Sequence, residues 1–269
     1  RESVNMKQRV RSAIIALIIC IPIIIIGKVP FYLGASLIGL IGLYEMVKAS
    51  GKLRKYPNLV KAFAVILFCL FMLDDVGNKV FLSLMDKLLI SIVLLIIPIV
   101  FYNKDNKYDI EDALYLFGSV IFLGLGFNKL ILTRVDSIYL FFYLLLVTTM
   151  TDTFAYFTGK LIGKNKMCES VSPNKTWEGF VGGLVFGTLI ATVFYVSAFY
   201  FEGSVFALII VTLVLSIIGQ LGDLVFSTIK RHFKIKDFGN IMPGHGGVLD
   251  RLDSLLFVMI AFSFLERFL

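Results

Sequence analysis

The sequence has few cysteines and few charged residues for its length. Cys20, Cys69 and Cys168 lack the spacing of metal ligands, and the first two lie inside apolar runs, which argues against a disulfide framework or a zinc site. Charged residues make up 17% of the chain and hydrophobic residues 58%. A typical soluble domain has about 25% charged and roughly 45–50% apolar residues. The composition therefore indicates an integral membrane protein.

Prolines are also few, and no segment is rich in serine and glycine. The chain contains six prolines in 269 residues, and no stretch has the composition of a soluble domain. We therefore expect one integral membrane domain over residues 1–269, with an all-α fold. Within it, residues 1–135 hold spans of low motif content, and residues 136–269 hold the predicted catalytic spans and cytoplasmic loops.

Long apolar runs predict a polytopic protein. A membrane-spanning helix needs about 20 mostly apolar residues, within a usual range of roughly 17–25. About nine segments fit this requirement. The predicted spans are 12–28, 30–47, 59–74, 87–102, 113–132, 136–159, 176–201, 204–226 and 248–268.

The distribution of basic residues predicts the orientation. With nine spans the termini lie on opposite sides, and the face that holds the amino end collects 20 of the 26 Lys and Arg residues. Cytoplasmic loops carry such an excess, so this face is predicted to be cytoplasmic. The net charge of +7 therefore comes from short membrane loops, and we expect no nucleic-acid partner.

A first polar block runs over residues 152–179 on the predicted cytoplasmic face. If the sixth span continues through it, residues spaced by three and four share one stripe. They are Asp152, Tyr156, Gly159, Lys160 and Gly163. The stripe could let a backbone approach a phosphate that lysines neutralise, or it could serve close helix packing. Further on, Ser172 and Pro173 have the form of an N-cap and a first helical residue, which predicts a helix start there.

A second polar block lies between the last two predicted spans. Helical spacing puts Asp223, Ser227, Lys230 and Arg231 on one face. A glycine-rich turn over residues 243–247 follows. The first turns of the last span then carry Asp250, Arg251 and Asp253. Acidic residues favour a helix amino end, but this effect does not account for His245, the glycines and Asp223 together.

Carboxylates combined with cations predict phosphate chemistry at a metal. Magnesium commonly takes one or two carboxylates plus substrate phosphates, and Asp223 and Asp250 on two helices suit that arrangement. A second metal ion is left open. Lys230, Arg231 and Arg251 would hold the remaining phosphate charge. The sequence therefore predicts phosphoryl or nucleotidyl transfer.

These two blocks resemble the signatures of a known family. The pattern S-x-x-K-R-x₄-K-D-x₅-P-G-H-G-G-x-x-D-R-x-D is similar to that of the phosphatidate cytidylyltransferases (CDP-diacylglycerol synthases). D-T-x-A-Y-x-x-G-K-x-x-G-K and S-P-N-K-T-x-E-G match their second block. The resemblance covers about the last 120 residues. One departure is Phe226, where many members carry an acidic residue.

The resemblance implies a magnesium-dependent enzyme of phospholipid biosynthesis. It would transfer a cytidylyl group from CTP to phosphatidic acid at the cytoplasmic side of the cell (inner) membrane, among membrane lipids. By motif position, the implied catalytic residues are Asp223, Asp250, Lys230, Arg231, His245 and Asp253, with Asp223 and Asp250 as metal ligands. The implied substrate-binding residues are Asp152, Lys160, Ser172, Asn174, Lys175, Ser227 and Arg251.

Two other functions stay open on the sequence. A CTP-dependent lipid kinase of the polyprenol type would use the same metals and the same face. A membrane transporter would also place carboxylates in spans, although the polar residues here cluster at one face. Glycines near 179–187 permit close helix packing within or between subunits, so a homodimer is a further expectation.

Overall fold

The computed structural model describes residues 6–53, 55–73, 82–102, 107–199, 203–241, 244 and 246–269. Nearly all of the regular structure in these ranges is helical. The helices are α1 (Met6–Ile26), α2 (Lys28–Ala49), α3 (Asn58–Met72), α4 (Leu84–Ile96), α5 (Ile99–Tyr102), α6 (Ile110–Asp136), α7 (Ile138–Ile162), α8 (Trp177–Ala198), α9 (Val205–His232) and α10 (Leu249–Leu265). A short 3₁₀ helix, Glu266–Phe268, follows α10.

The prediction of a helical membrane protein is confirmed, but the count of nine spans is not. In the described ranges, six helical segments are long and apolar enough to cross a membrane: α2, α4 with α5, α6, α7, α8 and α9. The apolar part of α1 covers only Ile14–Ile26, and α3 has 15 residues. α10 has 17 residues. Each predicted span overlaps a helix, but α3 and α10 have fewer than 18 residues, and in α1, which has 21 residues, the apolar stretch that the structure describes is Ile14–Ile26.

The chain divides into two compact units. Unit 1 contains Arg1–Leu132 and Asp237–Asp250, and unit 2 contains Thr133–Lys236 and Arg251–Leu269. Each unit therefore combines one long segment of the chain with one short segment from the carboxyl-terminal region. The expectation of one membrane domain stays a prediction.

Unit 1 is held together by aromatic packing and by bonds to helix carbonyls. Phe68 and Phe127 meet edge to face, with ring centroids 6.3 Å apart. Tyr115 donates to the carbonyl of Met46 at 2.9 Å, and Asn128 donates to the carbonyl of Met72 at 3.1 Å. Side chains that bond to the backbone of other helices fix the helices in register where water is scarce.

An ion-pair cluster ties the α2–α3 connection to the start of α6. The Lys52 ammonium lies 2.9 Å from Asp109 Oδ2 and 3.0 Å from Asp112 Oδ1, and Tyr56 donates to Asp112. The backbone N–H of Asp112, followed by the Lys52 ammonium, holds the pKa of Asp109 below its usual range. The charged form of Asp109 is therefore the one that stabilises this corner.

Unit 2 is built around a close pair of helices, α7 and α8. A Cβ on Gly183 would lie 2.7 Å from the carbonyl oxygen of Thr151 and 2.9 Å from Ala155 Cβ, and a Cβ on Gly187 would collide with Thr151. These glycines let the two backbones approach each other within one chain. They therefore give no support to a homodimer, which stays a prediction.

Buried hydroxyl groups connect α7 to α9 in the same unit. Tyr143 and Thr212 are hydrogen-bonded at 2.8 Å, and Thr151 and Ser216 at 2.7 Å. Inside an apolar bundle such bonds satisfy hydroxyl groups that water does not reach.

A two-stranded hairpin replaces the predicted helix start at Ser172. Strands β1 (Lys166–Cys168) and β2 (Ser172–Thr176) pair antiparallel. The N-cap of α8 is Thr176, whose hydroxyl accepts the N–H of Gly179 at 3.1 Å. The prediction of Ser172 as N-cap is wrong, because Thr176 has the same capping chemistry four residues later. Pro173 fits the hairpin since neither strand has a second neighbour that needs its N–H.

We predict that Gly183→Val destabilises unit 2 by about 1–3 kcal/mol, because the added side chain overpacks the α7–α8 contact. Gly118→Ala is the matched control, since a Cβ on Gly118 meets nothing within 4 Å. It should be neutral or slightly stabilising, because alanine favours a helix more than glycine does. Thermal unfolding of both variants in detergent measures the difference. Equal stability of the two variants would contradict the packing argument.

Candidate functional site

The cytoplasmic end predicted for the eighth span presents one polar face in the structure. Asp223, Ser227 and Lys230 follow one another on α9 at helical spacing, as predicted. Ser227 donates to Asp223 Oδ1 at 3.3 Å, and Lys230 is 9% exposed. The charge of Lys230 acts on Asp223. A hydroxyl and an ammonium group therefore support the same carboxylate.

A second cation reaches Asp223 from the hairpin. Lys175 on β2 places its Nζ 2.8 Å from Asp223 Oδ2 and donates to the carbonyl of Gln220 at 3.1 Å. Gln220 is 4% exposed, and its amide donates to the carbonyl of Phe180 at 3.2 Å. The hairpin is thus attached to α9 through an ion pair and a hydrogen bond, and the Gln220 side chain joins α9 to α8. The structure brings together Lys175 and Asp223, which the sequence placed in separate blocks.

Two further carboxylates join this cluster. Asp253 on α10 is 9% exposed, and its side chain is in hydrogen-bonding contact with Asp223. The charge of Asp152 on α7 acts on both Asp223 and Asp253. The resemblance implied a catalytic role for Asp253 without naming it as a metal ligand, yet Asp253 stands in direct contact with a predicted ligand. We name these five residues the acid–lysine cluster: Asp152, Lys175, Asp223, Lys230 and Asp253.

The acid–lysine cluster has the donor chemistry that magnesium requires. Two carboxyl groups in contact repel each other unless a proton or a cation lies between them. Carboxylate oxygens are also the ligands that magnesium prefers, with substrate phosphates and water completing its shell. In the residues that the structure describes, no group of three or more His, Cys, Asp or Glu could hold a metal ion by itself. Asp223 and Asp253 would therefore supply only part of the shell of such a cation, and substrate phosphates and water would have to supply the rest.

Arg231 makes contacts that differ from those of its neighbours on α9. Its Nε donates to the carbonyl of Val171 at 3.2 Å, and its Nη1 donates to the carbonyl of Ile235 at 3.3 Å. Arg231 thereby joins the hairpin turn to the chain that leaves α9. The guanidinium is exposed and lies at the same end of α9 as Lys230.

The other predicted substrate-binding residues lie around the hairpin. Ser172 is half-buried and Asn174 is exposed on β2. Lys160 is exposed at the end of α7, with its ammonium 5.9 Å from the centroid of the Tyr156 ring. Gly159 and Gly163 pack against Thr176, so the glycines of the predicted stripe serve close packing. Of the glycine and lysine positions in that stripe, only Lys160 keeps a predicted role in phosphate binding.

Phe226, which departs from the pattern of the resemblance, is buried in unit 2. It is 1% exposed and meets Phe257 edge to face, with centroids 6.1 Å apart. Position 226 therefore faces the packed interior, where a charged ligand would be costly.

Asp250, the second predicted metal ligand, belongs to unit 1. Its Oδ2 accepts the backbone N–H of Phe238 and of Gly247, both at 2.9 Å. Gly246, with φ of 85°, leaves room for this carboxylate. Asp250 therefore folds the loop before α10, and its metal role stays a prediction. Arg251 is exposed in the first turn of α10, and His245 lies outside the described residues.

Sequence reasoning assigned no role to Glu45, a residue of α2 that is hydrogen-bonded to this loop. Glu45 is 1% exposed, and its carboxylate accepts the N–H of Val248 at 3.1 Å and of Leu249 at 3.0 Å. The signal available in the sequence was an ionisable residue near the end of an apolar span, which is costly unless paired. The partner could not be predicted, because it is a backbone segment about 200 residues away.

The family model described as "Cytidylyltransferase family" matches residues 7–269 of the chain. The match therefore includes both units and every residue of the acid–lysine cluster. It also includes α2 to α6, which carry few of the motif residues.

Several bacterial proteins named phosphatidate cytidylyltransferase are similar along nearly the whole chain. The protein of Staphylococcus haemolyticus is 40% identical over 257 residues, which covers 94% of this chain and 96% of that protein. That of Staphylococcus aureus is 39% identical, with coverage of 94% and 96%. That of Bacillus subtilis is 38% identical, with coverage of 97% and 98%. The resemblance seen in the motifs is confirmed, and the chain belongs to the cytidylyltransferase family.

Proposed function

We propose that the protein transfers a cytidylyl group from CTP to phosphatidic acid, forming CDP-diacylglycerol and pyrophosphate. The observation that carries the proposal is the acid–lysine cluster in a chain of this family. In unit 2, Asp223 is in contact with Lys175 and Asp253, and the charges of Asp152 and Lys230 act on the same carboxylates. The names of the relatives support the choice of phosphatidic acid as the acceptor.

The reaction joins two anions. A phosphate oxygen of the lipid forms a bond to the α-phosphorus of CTP, and the bond from that phosphorus to the bridging oxygen of the β-phosphate breaks. The electron pair leaves with pyrophosphate. A phosphomonoester is already ionised near neutral pH, so the step needs no strong protein base. The protein must instead offset the repulsion between the two substrates.

The lysines and arginines of unit 2 supply this positive charge. Lys175 and Lys230 already lie beside Asp223 and can turn their ammonium groups towards phosphate oxygens. Arg231 and Arg251 have guanidinium groups that suit two-point contact with phosphate. Ser227, Ser172, Asn174 and Lys160 are proposed to contact substrate from α9, the hairpin and α7. His245 keeps its catalytic assignment from the motif alone.

Magnesium dependence is part of the proposal. Asp223 and Asp253 would hold the ion in unit 2, with Asp152 nearby, and Asp250 keeps its assignment as a ligand from the motif. When bound, magnesium neutralises phosphate charge and polarises phosphorus towards attack. A second ion, if bound, would use carboxylates of the same set.

The proposed location is the cytoplasmic face of the bacterial inner membrane. The excess of lysine and arginine on one set of loops supports this orientation. Phosphatidic acid is a bilayer lipid and CTP is cytosolic, so a boundary site gives both substrates access. We propose that membrane lipids surround the helices, and a homodimer remains compatible with this arrangement.

We predict that the α-phosphate of CTP enters the lipid product. The purified protein, in micelles that contain phosphatidic acid and magnesium, should transfer label from α-³²P-CTP to lipid. Label from γ-³²P-CTP should appear only in pyrophosphate. Thin-layer chromatography of the extracted lipid measures the label in lipid, and chromatography of the aqueous phase measures the label in pyrophosphate.

Two outcomes would contradict the proposed function. Label in lipid from γ-³²P-CTP alone would indicate a lipid kinase. Substrate flux into liposomes without CTP, in the absence of any labelled lipid, would indicate a transporter.

We predict that Asp223→Asn and Asp253→Asn each lower kcat by about 100-fold or more, because each removes charge from the acid–lysine cluster. Lys175→Met should lower kcat similarly. Glu169→Gln, at an exposed position in the hairpin turn, is the matched control and should keep wild-type activity. Full activity of folded Asp223→Asn and Asp253→Asn would contradict the assignment of the site.

A further inference from the structure

Glu45 places a buried carboxylate against the loop before α10, and the backbone there satisfies it. The side chain is 1% exposed on an apolar helix, and Oε1 and Oε2 each accept one backbone N–H, from Val248 and Leu249 respectively. A buried carboxylate is costly unless it is paired or hydrogen-bonded. The position of Glu45 therefore depends on the position of this loop, and the loop depends on Glu45.

The two bonds amount to a helix cap supplied from a distant part of the chain. α10 begins at Leu249, and the first N–H groups of a helix have no partner within it. Val248, which precedes the helix, has no polar side chain to accept them. A negative charge at a helix amino end is also favourable. Glu45 therefore takes the place of a local N-cap residue.

The loop contains glycines where the Glu45 carboxylate passes. A Cβ on Gly239 or on Gly247 would collide with that carboxylate. On α2 itself, a Cβ on Gly42 would lie 3.0 Å from Leu249 Cδ2. A side chain at Gly239 or Gly247 would therefore displace the Glu45 carboxylate, and one at Gly42 would crowd Leu249. The last glycine of the P-G-H-G-G segment is thus explained by close approach to Glu45.

Glu45 and Asp250 hold the same short segment from two sides. Asp250 Oδ2 accepts the N–H of Gly247, and Glu45 accepts the next two N–H groups along the chain. The side chain of Asp250 points back onto the loop that Glu45 fixes. A change at Glu45 therefore moves the backbone on which the Asp250 carboxylate depends.

We propose that Glu45 is a positioning residue for cytidylyl transfer, which fixes the backbone of residues 247–249 and thereby the Asp250 carboxylate for metal binding. This inference rests on the proposed function and on the motif assignment of Asp250. It gives α2, which lies in the region of low motif content, an indirect part in the reaction through Asp250.

Glu45→Gln tests the inference while it keeps the size of the side chain. The amide has one oxygen acceptor and turns its NH₂ donors towards an N–H group. We expect Mn²⁺ binding, measured with CTP present from the free-ion signal in electron paramagnetic resonance and compared with a protein-free sample that holds the same CTP, to weaken by about 10–100-fold, as is typical for partners of metal ligands. The magnesium concentration for half-maximal transfer of α-label should rise in parallel. Glu45→Asp, which keeps both acceptors, should retain more Mn²⁺ affinity than Glu45→Gln.

Glu111→Gln is the matched control, since Glu111 is exposed in the first turn of α6 in the same unit. It should bind Mn²⁺ as the wild-type protein does. If Glu45→Gln does not fold, Gly247→Ala replaces it, because its methyl group displaces the same carboxylate. Gly118→Ala is then the control.

The inference is overturned if folded Glu45→Gln or Gly247→Ala binds Mn²⁺ with wild-type affinity, even when activity falls with the folded fraction. That result would leave Glu45 a purely structural residue. Failure of the proposed function looks different: the wild-type protein itself would transfer no α-label to lipid.

Discussion

A carboxylate beside or within a membrane must be satisfied by partners that the protein itself supplies. The chain meets this requirement in two ways. Asp223 has the Lys175 ammonium and the Ser227 hydroxyl, whereas Glu45 has two backbone N–H groups. The first solution leaves cations that can turn to a phosphate. The second leaves none, because its donors belong to the backbone of a helix start. The two sets of partners thus distinguish the residues that we propose to contact substrate from the residue that holds the loop.

The apolar runs were enough to predict the helices, and the polar spacing on α9 was enough to predict the face shared by Asp223 and Lys230. Both are local patterns with the period of a helix. The hairpin was not predictable in this way, because Ser172-Pro173 and Thr176-Trp177 both have the chemistry of a helix start. The structure starts α8 after Thr176 and packs Gly179 against α7, which is a tertiary contact that a local pattern does not reveal. The contact of Asp253 with Asp223 depends on how α9 and α10 pack, which no spacing encodes.

The amino-terminal helices have few motif residues, yet the family match begins at residue 7. Glu45 suggests one reason why the two parts of the chain are kept together. A loop rich in glycine has little intrinsic preference for one conformation, so an outside support lowers the number of arrangements open to it. The apolar helix α2, with Glu45 near its end, provides such a support and needs only one buried carboxylate to do so.

The hairpin also carries an internal optical label. The chain has one tryptophan, Trp177, which follows β2 directly. Its backbone N–H donates to the carbonyl of Asn165 at the base of the hairpin. Its side chain is 50% exposed and lies two residues from the lysine paired with Asp223. Tryptophan emission from the protein therefore arises from one indole at the attachment point of the hairpin. A spectroscopist can follow that strand in the native chain without adding a fluorophore.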